Sequence, residues 1–286
     1  MRELFVVAIL FLSILPSAAG QTMDITKDSA GEIVEIVAFE GLSPDDDLLT
    51  KIPSLGKLRK LSLRCTPKNR VTVYEDWFLG KASLESIALV NCELSADAFS
   101  ALLRVPALGS LDLTGASISP GALPKARFHA ESVSFASCNL DDAFITRMIG
   151  CGVLDSAHLI NLSGNAVTSN HILKLVARST DCEELSLNQT HVDDESIPGL
   201  LKLRSLVALD MNDTKFTGNG FEKLCGLTRL EQLRANRVTL HLKQAEAFIE
   251  HPQLARFEFD YSGLSLEERI QLTKKQQSIL SERRRK

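Results

Sequence analysis

The stretch Cys182-Glu183-Glu184-Leu185-Ser186-Leu187-Asn188-Gln189-Thr190-His191-Val192-Asp193 decides the reading of this chain. Its apolar side chains stand at positions one, four, six and eleven, with Thr190 at nine. Leu185 and Leu187, two apart, point to one face of a strand. Asp193, at position twelve, is a residue type that caps helix N-termini. The same arrangement recurs in both directions. It is found in Leu84-Ile87-Leu89-Cys92-Leu94, Leu108-Leu111-Leu113-Ala116-Ile118, Ala130-Val133-Phe135-Cys138-Leu140 and Ala157-Ile160-Leu162-Asn165-Val167. It returns in Leu206-Leu209-Met211-Thr214-Phe216, Leu230-Leu233-Ala235-Val238-Leu240 and Leu254-Phe257-Phe259-Ser262-Leu264. An irregular copy, Leu58-Leu61-Leu63-Thr66, precedes these, and a degenerate one falls within Ile33–Phe39. Eight regular copies in phase, 22 to 27 residues apart, exceed what chance spacing produces.

The twelfth column supports the frame independently. It reads Ser95, Ser119, Asp141, Thr168, Asp193, Thr217, His241 and Ser265, and all but His241 are N-cap formers. Apolar residues follow at helical spacing, as in Phe99 with Leu102 and Leu103, or Ile172 with Leu175 and Val176. Each unit is therefore a short strand, a turn and a short helix. One such unit cannot bury its own leucines; stacked units bury them in a continuous core, with parallel strands ~4.8 Å apart. About ten units give a sheet roughly 45 Å wide at that spacing. Open ends of such an array expose core and need caps. Ser265-Leu266-Glu267-Glu268 is a capping box opening a helix whose Leu266, Ile270 and Leu272 are expected to cover the last unit. At the other end, residues 21–56 are the candidate cap, with Ser43-Pro44-Asp45 as a helix start.

Over roughly residues 33–264 the pattern L-x-x-L-x-L-x-x-[N/C/T]-x-L resembles the leucine-rich-repeat superfamily. The later copies are similar to the short, threonine-bearing repeats of secreted bacterial proteins, and Cys92 and Cys138 are similar to the cysteine-containing subclass. The mixed ninth column fits no single subclass. The resemblance implies an α/β fold: a curved, right-handed leucine-rich-repeat solenoid with a parallel sheet on its concave face and short helices on its convex face. It also implies recognition of a protein or peptide as the usual task, without naming a partner.

The 286 residues carry 44% hydrophobic side chains and a formal charge of −4, so a packed core is expected rather than disorder. Residues 1–20 stand apart. Arg2, an apolar run from Leu4 to Leu15 and the small residues Pro16 to Gly20 read as a secretory signal peptide. The run falls short of the ~20 residues that cross a bilayer, which weighs against an uncleaved anchor. The expected location is secreted or periplasmic. The resulting organisation is a signal at 1–20, a cap with a degenerate repeat at 21–56, repeats at 57–264, and a capping helix with basic tail at 265–286. Export would permit disulfides, yet the six cysteines are scattered without any C-x-x-C. Cys92 and Cys138, two units apart in one column, would lie ~10 Å apart, beyond the ~7 Å reach of a bridge. Mostly buried free thiols are expected.

Function is expected on the concave face. The fifth position reads Ser62, Ala88, Asp112, Ser134, Asn161, Ser186, Asp210, Arg234 and Glu258; the seventh includes Asn188, Asn212, Asn236 and Asp260. Asp210, Arg234 and Glu258 should stand side by side on neighbouring strands. With Asn212, Asn236, Asp260 and Tyr261 they form the candidate binding surface; the plainer alternative is a ladder of opposite charges worth ~0.2–1 kcal/mol per pair to the sheet. Tyr261 is the single aromatic of this set, which argues against a tight interface with one aromatic anchor.

Acidic runs at Asp45-Asp46-Asp47, Asp141-Asp142 and Asp193-Asp194-Glu195 fall at helix starts, where carboxylates suit the macrodipole, and none has the spacing of a calcium loop. None of the six histidines lies in a zinc spacing; His158, on a concave strand, is weighed against an ordinary solvated histidine. There is no G-x-S-x-G, P-loop or G-x-G-x-x-G, so no catalytic constellation, cofactor or metal site is expected. The triplets beginning at Asn161, Asn188 and Asn212 match glycosylation acceptors but arise from the repeat columns themselves. Residues 265–286 carry +4. That is either a frayed helix end or a weak contact for an anionic surface such as a membrane or wall polymer. Nucleic-acid binding is not expected of an exported, acidic body.

Two functions suit these features. One is a non-catalytic extracytoplasmic recognition or adaptor protein that uses its concave sheet. The other is a structural scaffold of a cell-envelope assembly. A third, a substrate-recruiting subunit of a ubiquitin ligase, rests on fold analogy and conflicts with the export segment and with the lack of an F-box-like stretch.

Overall fold

The structure is a computed structural model, and it describes residues 23–39, 47–126, 128–155, 157–176 and 178–283. The signal segment, Ser43-Pro44-Asp45 and the last three residues of the basic tail lie outside the described residues.

Among these residues, one sheet of eleven strands carries the molecule. In chain order its strands, with three short ones belonging to a second sheet, are β1 (Met23–Lys27), β2 (Ile33–Phe39), β3 (Lys60–Arg64), β4 (Thr72–Val73), β5 (Ser86–Val90), β6 (Glu93–Leu94) and β7 (Ser110–Asp112). They continue as β8 (Ser117–Ile118), β9 (Ser132–Ser134), β10 (Leu159–Asn161), β11 (Glu184–Ser186), β12 (Ala208–Asp210), β13 (Gln232–Thr239) and β14 (Arg256–Asp260). From β2 onward the main sheet is parallel and follows chain order, with Leu61 opposite Ile87, Leu185 opposite Leu209, and Leu233 opposite Phe257. The two-residue strands β4, β6 and β8 pair in parallel in a second small sheet. The fold is thus a leucine-rich-repeat solenoid of ten coils.

The interior follows the apolar columns. The first, fourth and sixth positions are buried from Leu58 to Phe259, apart from half-buried Phe257. Helices occupy the return path of most coils: α1 (Asp47–Lys51), α2 (Ala96–Leu102), α3 (Asp142–Cys151), α4 (Ser169–Val176), α5 (Ile197–Leu200), α6 (Gly218–Lys223) and α7 (Leu242–Ile249), with α8 (Leu266–Arg283) at the end. Several twelfth-column residues cap them as their chemistry dictates. Ser95 Oγ accepts from the Ala98 N–H at 3.1 Å, and Asp141 Oδ1 from the Phe144 N–H at 2.7 Å. Ser265 and Glu268 exchange reciprocal bonds at 2.8 and 3.3 Å, the capping box. At His241 the third helical residue does the work, Gln244 Oε1 accepting the His241 N–H at 3.0 Å.

Two expectations need correcting, at Ser119 and on α8. Ser119 caps no helix: the segment from 119 to 131 has no regular structure where described, and Pro124 lacks the N–H that a helix starting after Ser119 would need in its second turn. The N-terminal edge is covered by an antiparallel strand, with Met23 opposite Ala38 in β1 and β2, and the intervening turn is tied by Asp28 Oδ1 to the Ala30 and Glu32 N–H groups at 2.9 and 3.0 Å. Pairing the edge removes an open row of backbone groups. On α8, Leu272 is buried, but Leu266 and Ile270 are exposed. At 3.6 residues per turn Ile270 lies about 200° around the helix from Leu272. The inward stripe runs instead through Leu272 to half-buried Ile279, and Lys275 ties the helix to Glu246 of α7 at 3.3 Å.

Position eight of seven successive coils adopts the left-handed backbone: Asn91, Gly115, Ser137, Gly164, Gln189, Asp213 and Arg237 have φ between 53° and 70°. The chain turns away from the main sheet beyond its strands there, except at Arg237, which lies within β13. Stacking makes this column tight. A Cβ on Gly115 would approach Asn91 Oδ1 to 2.1 Å, and one on Gly164 would approach Ser137 Oγ to 2.6 Å.

Candidate functional site

The concave strand face changes character along the solenoid. Its middle is small and hydroxyl-rich, and neighbouring strands share hydrogen bonds there. Thr114 Oγ1 lies 2.9 Å from Ser134 Oγ, and Ser163 Oγ lies 2.7 Å from Ser186 Oγ. Such pairs consume the hydroxyls within the sheet.

At the C-terminal end charges take over. Register places Asp210, Arg234 and Glu258 directly side by side on β12, β13 and β14. Arg234 Nη1 donates to both Asp210 oxygens, at 2.8 and 3.1 Å, and its Nε lies 3.8 Å from Glu258 Oε2. Burial pushes the Asp210 carboxyl above the usual carboxylate range, and Arg234 opposes that push. Arg256 adds a fourth member: its Nε donates to Glu258 Oε1 at 2.7 Å. Carboxylate, guanidinium, carboxylate and guanidinium thus alternate across the last three strands.

Arg256 belongs to a column that the sequence reading left out. The third position of each strand also faces outward, and its register runs from Lys60 through Glu184, Ala208 and Gln232 to Arg256. Glu184 and Arg256 are exposed members flanking the charge ladder. Period-two alternation along β11 and β14 was the available signal, since positions three, five and seven share a face.

The seventh column is partly occupied with holding the sheet. Asn188 Oδ1 accepts the Asn212 N–H at 2.8 Å, and Asn212 Oδ1 accepts the Asn236 N–H at 2.7 Å, an asparagine ladder across three coils. Asn236 is exposed at its end. Asp260 does not continue the ladder. A register shift between Ala235 and Thr239 sets Asp260 opposite Thr239, and its Oδ1 accepts the Ser262 N–H at 2.8 Å, closing a turn at Tyr261–Gly263. The shift arises where Arg237 takes the left-handed conformation within β13 and reaches Asp213 at 2.8 Å. Tyr261 is 42% exposed, and its ring stacks 4.3 Å from Phe259. Phe259 continues through Phe257 and Phe248 to Phe221 at centroid separations of 4.8 to 5.0 Å, which anchors the exposed ring on a rigid apolar stack.

Of the remaining singled-out residues, His158 is exposed beside β10. Two other histidines are interior. His171 Nδ1 lies 2.9 Å from both Thr168 Oγ1 and Asp142 Oδ1, and His251 Nε2 lies 3.1 Å from the Leu227 carbonyl. Among the described residues no group of three or more His, Cys, Asp or Glu is placed to hold a metal ion, and no helix is long and apolar enough to cross a membrane.

Solved structures share this architecture. Internalin C2 of Listeria monocytogenes matches with a TM-score of 0.54 at 16% identity, over 74% of this chain and 83% of that one. The internalin inlF of the same organism matches at 0.55 and 17% identity, over 82% and 71%. A plant peptide hormone receptor, RGFR1, solved in complex with RGF2, matches at 0.50 and 11% identity, over 82% of this chain and 44% of that one. All are leucine-rich-repeat proteins, and the fold of this chain is theirs. No protein-family model matches the chain, and no curated protein does.

Proposed function

We propose that this chain is a non-catalytic, extracytoplasmic protein-binding solenoid that receives a protein or peptide segment on the C-terminal third of its concave sheet. The observation that carries the reading is the alternating ladder Asp210–Arg234–Glu258–Arg256, set on rigid strands and open on one side. Rigid charged groups on strands recognise a partner at low ordering cost, and alternating signs set register and reject mismatched partners. Tyr261, fixed on its aromatic stack, supplies an amphipathic contact beside the charges. Asn236 and the flanking Glu184 extend the surface. Among the matched folds, the receptor RGFR1 was solved in complex with RGF2. Export rests on the segment 1–20, and the domain limits at 20, 56 and 264 rest on the repeat frame.

The test is capture of partners from the envelope fraction of the source cells on immobilised protein. Arg234→Glu reverses one charge of the ladder without touching the buried columns. Loss of a wild-type partner on Arg234→Glu supports recognition by the concave face. Retention of that partner, with loss only when residues 282–286 are removed, favours the scaffold reading, in which the basic tail makes the contact.

A further inference from the structure

Cys65 and Cys92 meet in the interior. Cys65 stands at position eight of the β3 coil and Cys92 at position nine of the β5 coil, which the sequence columns do not pair. Their Sγ atoms lie 3.7 Å apart. In seven later coils position eight is left-handed, and its side chains are half-buried or exposed wherever they are not glycine. Cys65 departs from that pattern. It is followed by the turn Thr66–Asn69 and is buried, 7% exposed. The backbones around the two sulfurs are tied together: the Cys65 N–H donates to the Val90 carbonyl at 2.9 Å, and Asn91 Nδ2 donates to the Cys65 carbonyl at 2.8 Å. A disulfide needs ~2.05 Å between sulfurs, so closure brings the two sulfurs about 1.7 Å nearer.

The other buried thiols are placed differently. Cys138, Cys151 and Cys182 donate to the carbonyls of Leu113, Met148 and Glu184 at 2.9, 3.1 and 3.3 Å, and burial pushes the Cys138 and Cys182 thiols up to about 12. The pair at 65 and 92 is asymmetric. Donation from Cys92 lowers the Cys65 thiol to about 7, with help from a Val71 backbone bond and the charge of Arg70, against the effect of burial. Cys92 is pushed up by the same contact and by burial. The contact favours ionisation of Cys65 over Cys92, so Cys65 takes the attacking role and Cys92 the resolving one.

We propose that Cys65 and Cys92 are a disulfide-forming pair that, once oxidised, staples the second and third coils of the solenoid. The oxidant is a small disulfide, glutathione disulfide in the test below. The Cys65 thiolate attacks one of its sulfurs, forming a mixed disulfide and releasing one thiol. Cys92 loses its proton and displaces the second thiol, forming the Cys65–Cys92 bond. Two S–H bonds break, one S–S bond forms, and the oxidant's S–S bond is reduced to two thiols. That the pair is oxidised in the cell rests on the proposed export; that it closes chemically does not.

The full chain, purified under reducing conditions, is incubated with glutathione disulfide, and a second sample is refolded from urea in the same oxidant. Denatured thiol titration and digestion without reduction then read the product. The expected result is a fall from six free thiols to four with loss of two hydrogen masses. The cross-linked peptide joins residues 65 and 92, and the melting temperature rises in wild type but not in Cys92→Ser. Six thiols remaining in both samples, or a cross-link through other cysteines, overturns the pairing. Rapid acid quenching and alkylation in the source cells reads the compartment. A bridged pair there supports the staple in its native setting. Free thiols there, with closure intact in vitro, overturn export and leave the pairing standing.

Discussion

Replacing Asn165 with alanine should cost about 4 kcal/mol. Asn165 sits at position nine of the β10 coil, 3% exposed. Its Oδ1 accepts the Leu140 N–H at 3.0 Å, and its Nδ2 donates to the carbonyls of Phe135, Leu162 and Ser163 at 2.8, 2.9 and 3.2 Å. Leu140 and Phe135 belong to the preceding coil, so one side chain satisfies backbone groups on both sides of a coil junction that water does not reach. Alanine leaves at least two buried groups unpaired at ~1–3 kcal/mol each, and the lost amide volume adds to that. Urea unfolding followed by far-ultraviolet circular dichroism measures the change, with the slope checked for altered cooperativity. Asn165→Thr is the graded control. Thr190 and Thr214, at the same position of later coils, donate to the carbonyls of Leu187 and Met211 at 2.6 and 2.8 Å. Threonine at 165 should keep that one bond, lose the cross-coil pair, and cost about half as much. A loss below about 1 kcal/mol for alanine, or equal losses for alanine and threonine, would refute the assignment of cross-coil bonding to this side chain.

The left-handed column gives two opposite expectations. Gly164→Ala places a Cβ 2.6 Å from Ser137 Oγ at φ 68° and should lower the melting temperature. Gln189→Gly relieves ~1–2 kcal/mol of left-handed strain, less ~0.4–1 kcal/mol of added unfolded-chain freedom, and should stabilise by at most ~1.6 kcal/mol. Arg234→Met should cost about 1 kcal/mol at neutral pH. The sign follows from the raised Asp210 carboxyl. The folded state holds this proton more tightly than the unfolded chain, so ionised Asp210 costs stability above its unfolded value and that cost lifts as pH falls through the folded value. Without Arg234 the carboxyl rises further, so the penalty should shrink in acid; a penalty that grows in acid in a urea titration series contradicts the pairing. Leu187→Asp places an unpaired charge at a fully buried position and should melt several coils together, read as a lowered and broadened circular-dichroism transition.

The amino-acid sequence by itself determined the frame. Apolar residues at positions one, four, six and eleven encode which side chains turn inward, because strand and helix periodicities are local properties of a few consecutive residues. Once the frame is known, equal positions must stack, and the juxtaposition of Asp210, Arg234 and Glu258 follows. Caps at Ser95 and Asp141 are equally local, since donor and acceptor lie three residues apart. Ser119 misled because its oxygen is a cap only where a helix follows, and Pro124 removes a donor from the second turn that such a helix would need.

Tertiary structure decided what depends on how the side chains of one coil meet those of the next. The asparagine ladder, the Asn165 bridge and the tight stack of Gly164 on Ser137 join residues 24 to 30 apart or the left-handed turns of adjacent coils, and no short-range pattern records them. The register shift that takes Asp260 out of its column falls where Tyr261, at position eight of the last coil, opens a tight turn instead of the left-handed residue of the seven preceding coils. Cys65 and Cys92 occupy different columns and meet only because the turn after β3 departs from its neighbours. Periodicity specifies the average coil; the departures from it, where binding chemistry and covalent chemistry are placed, are set by how each coil settles against the next.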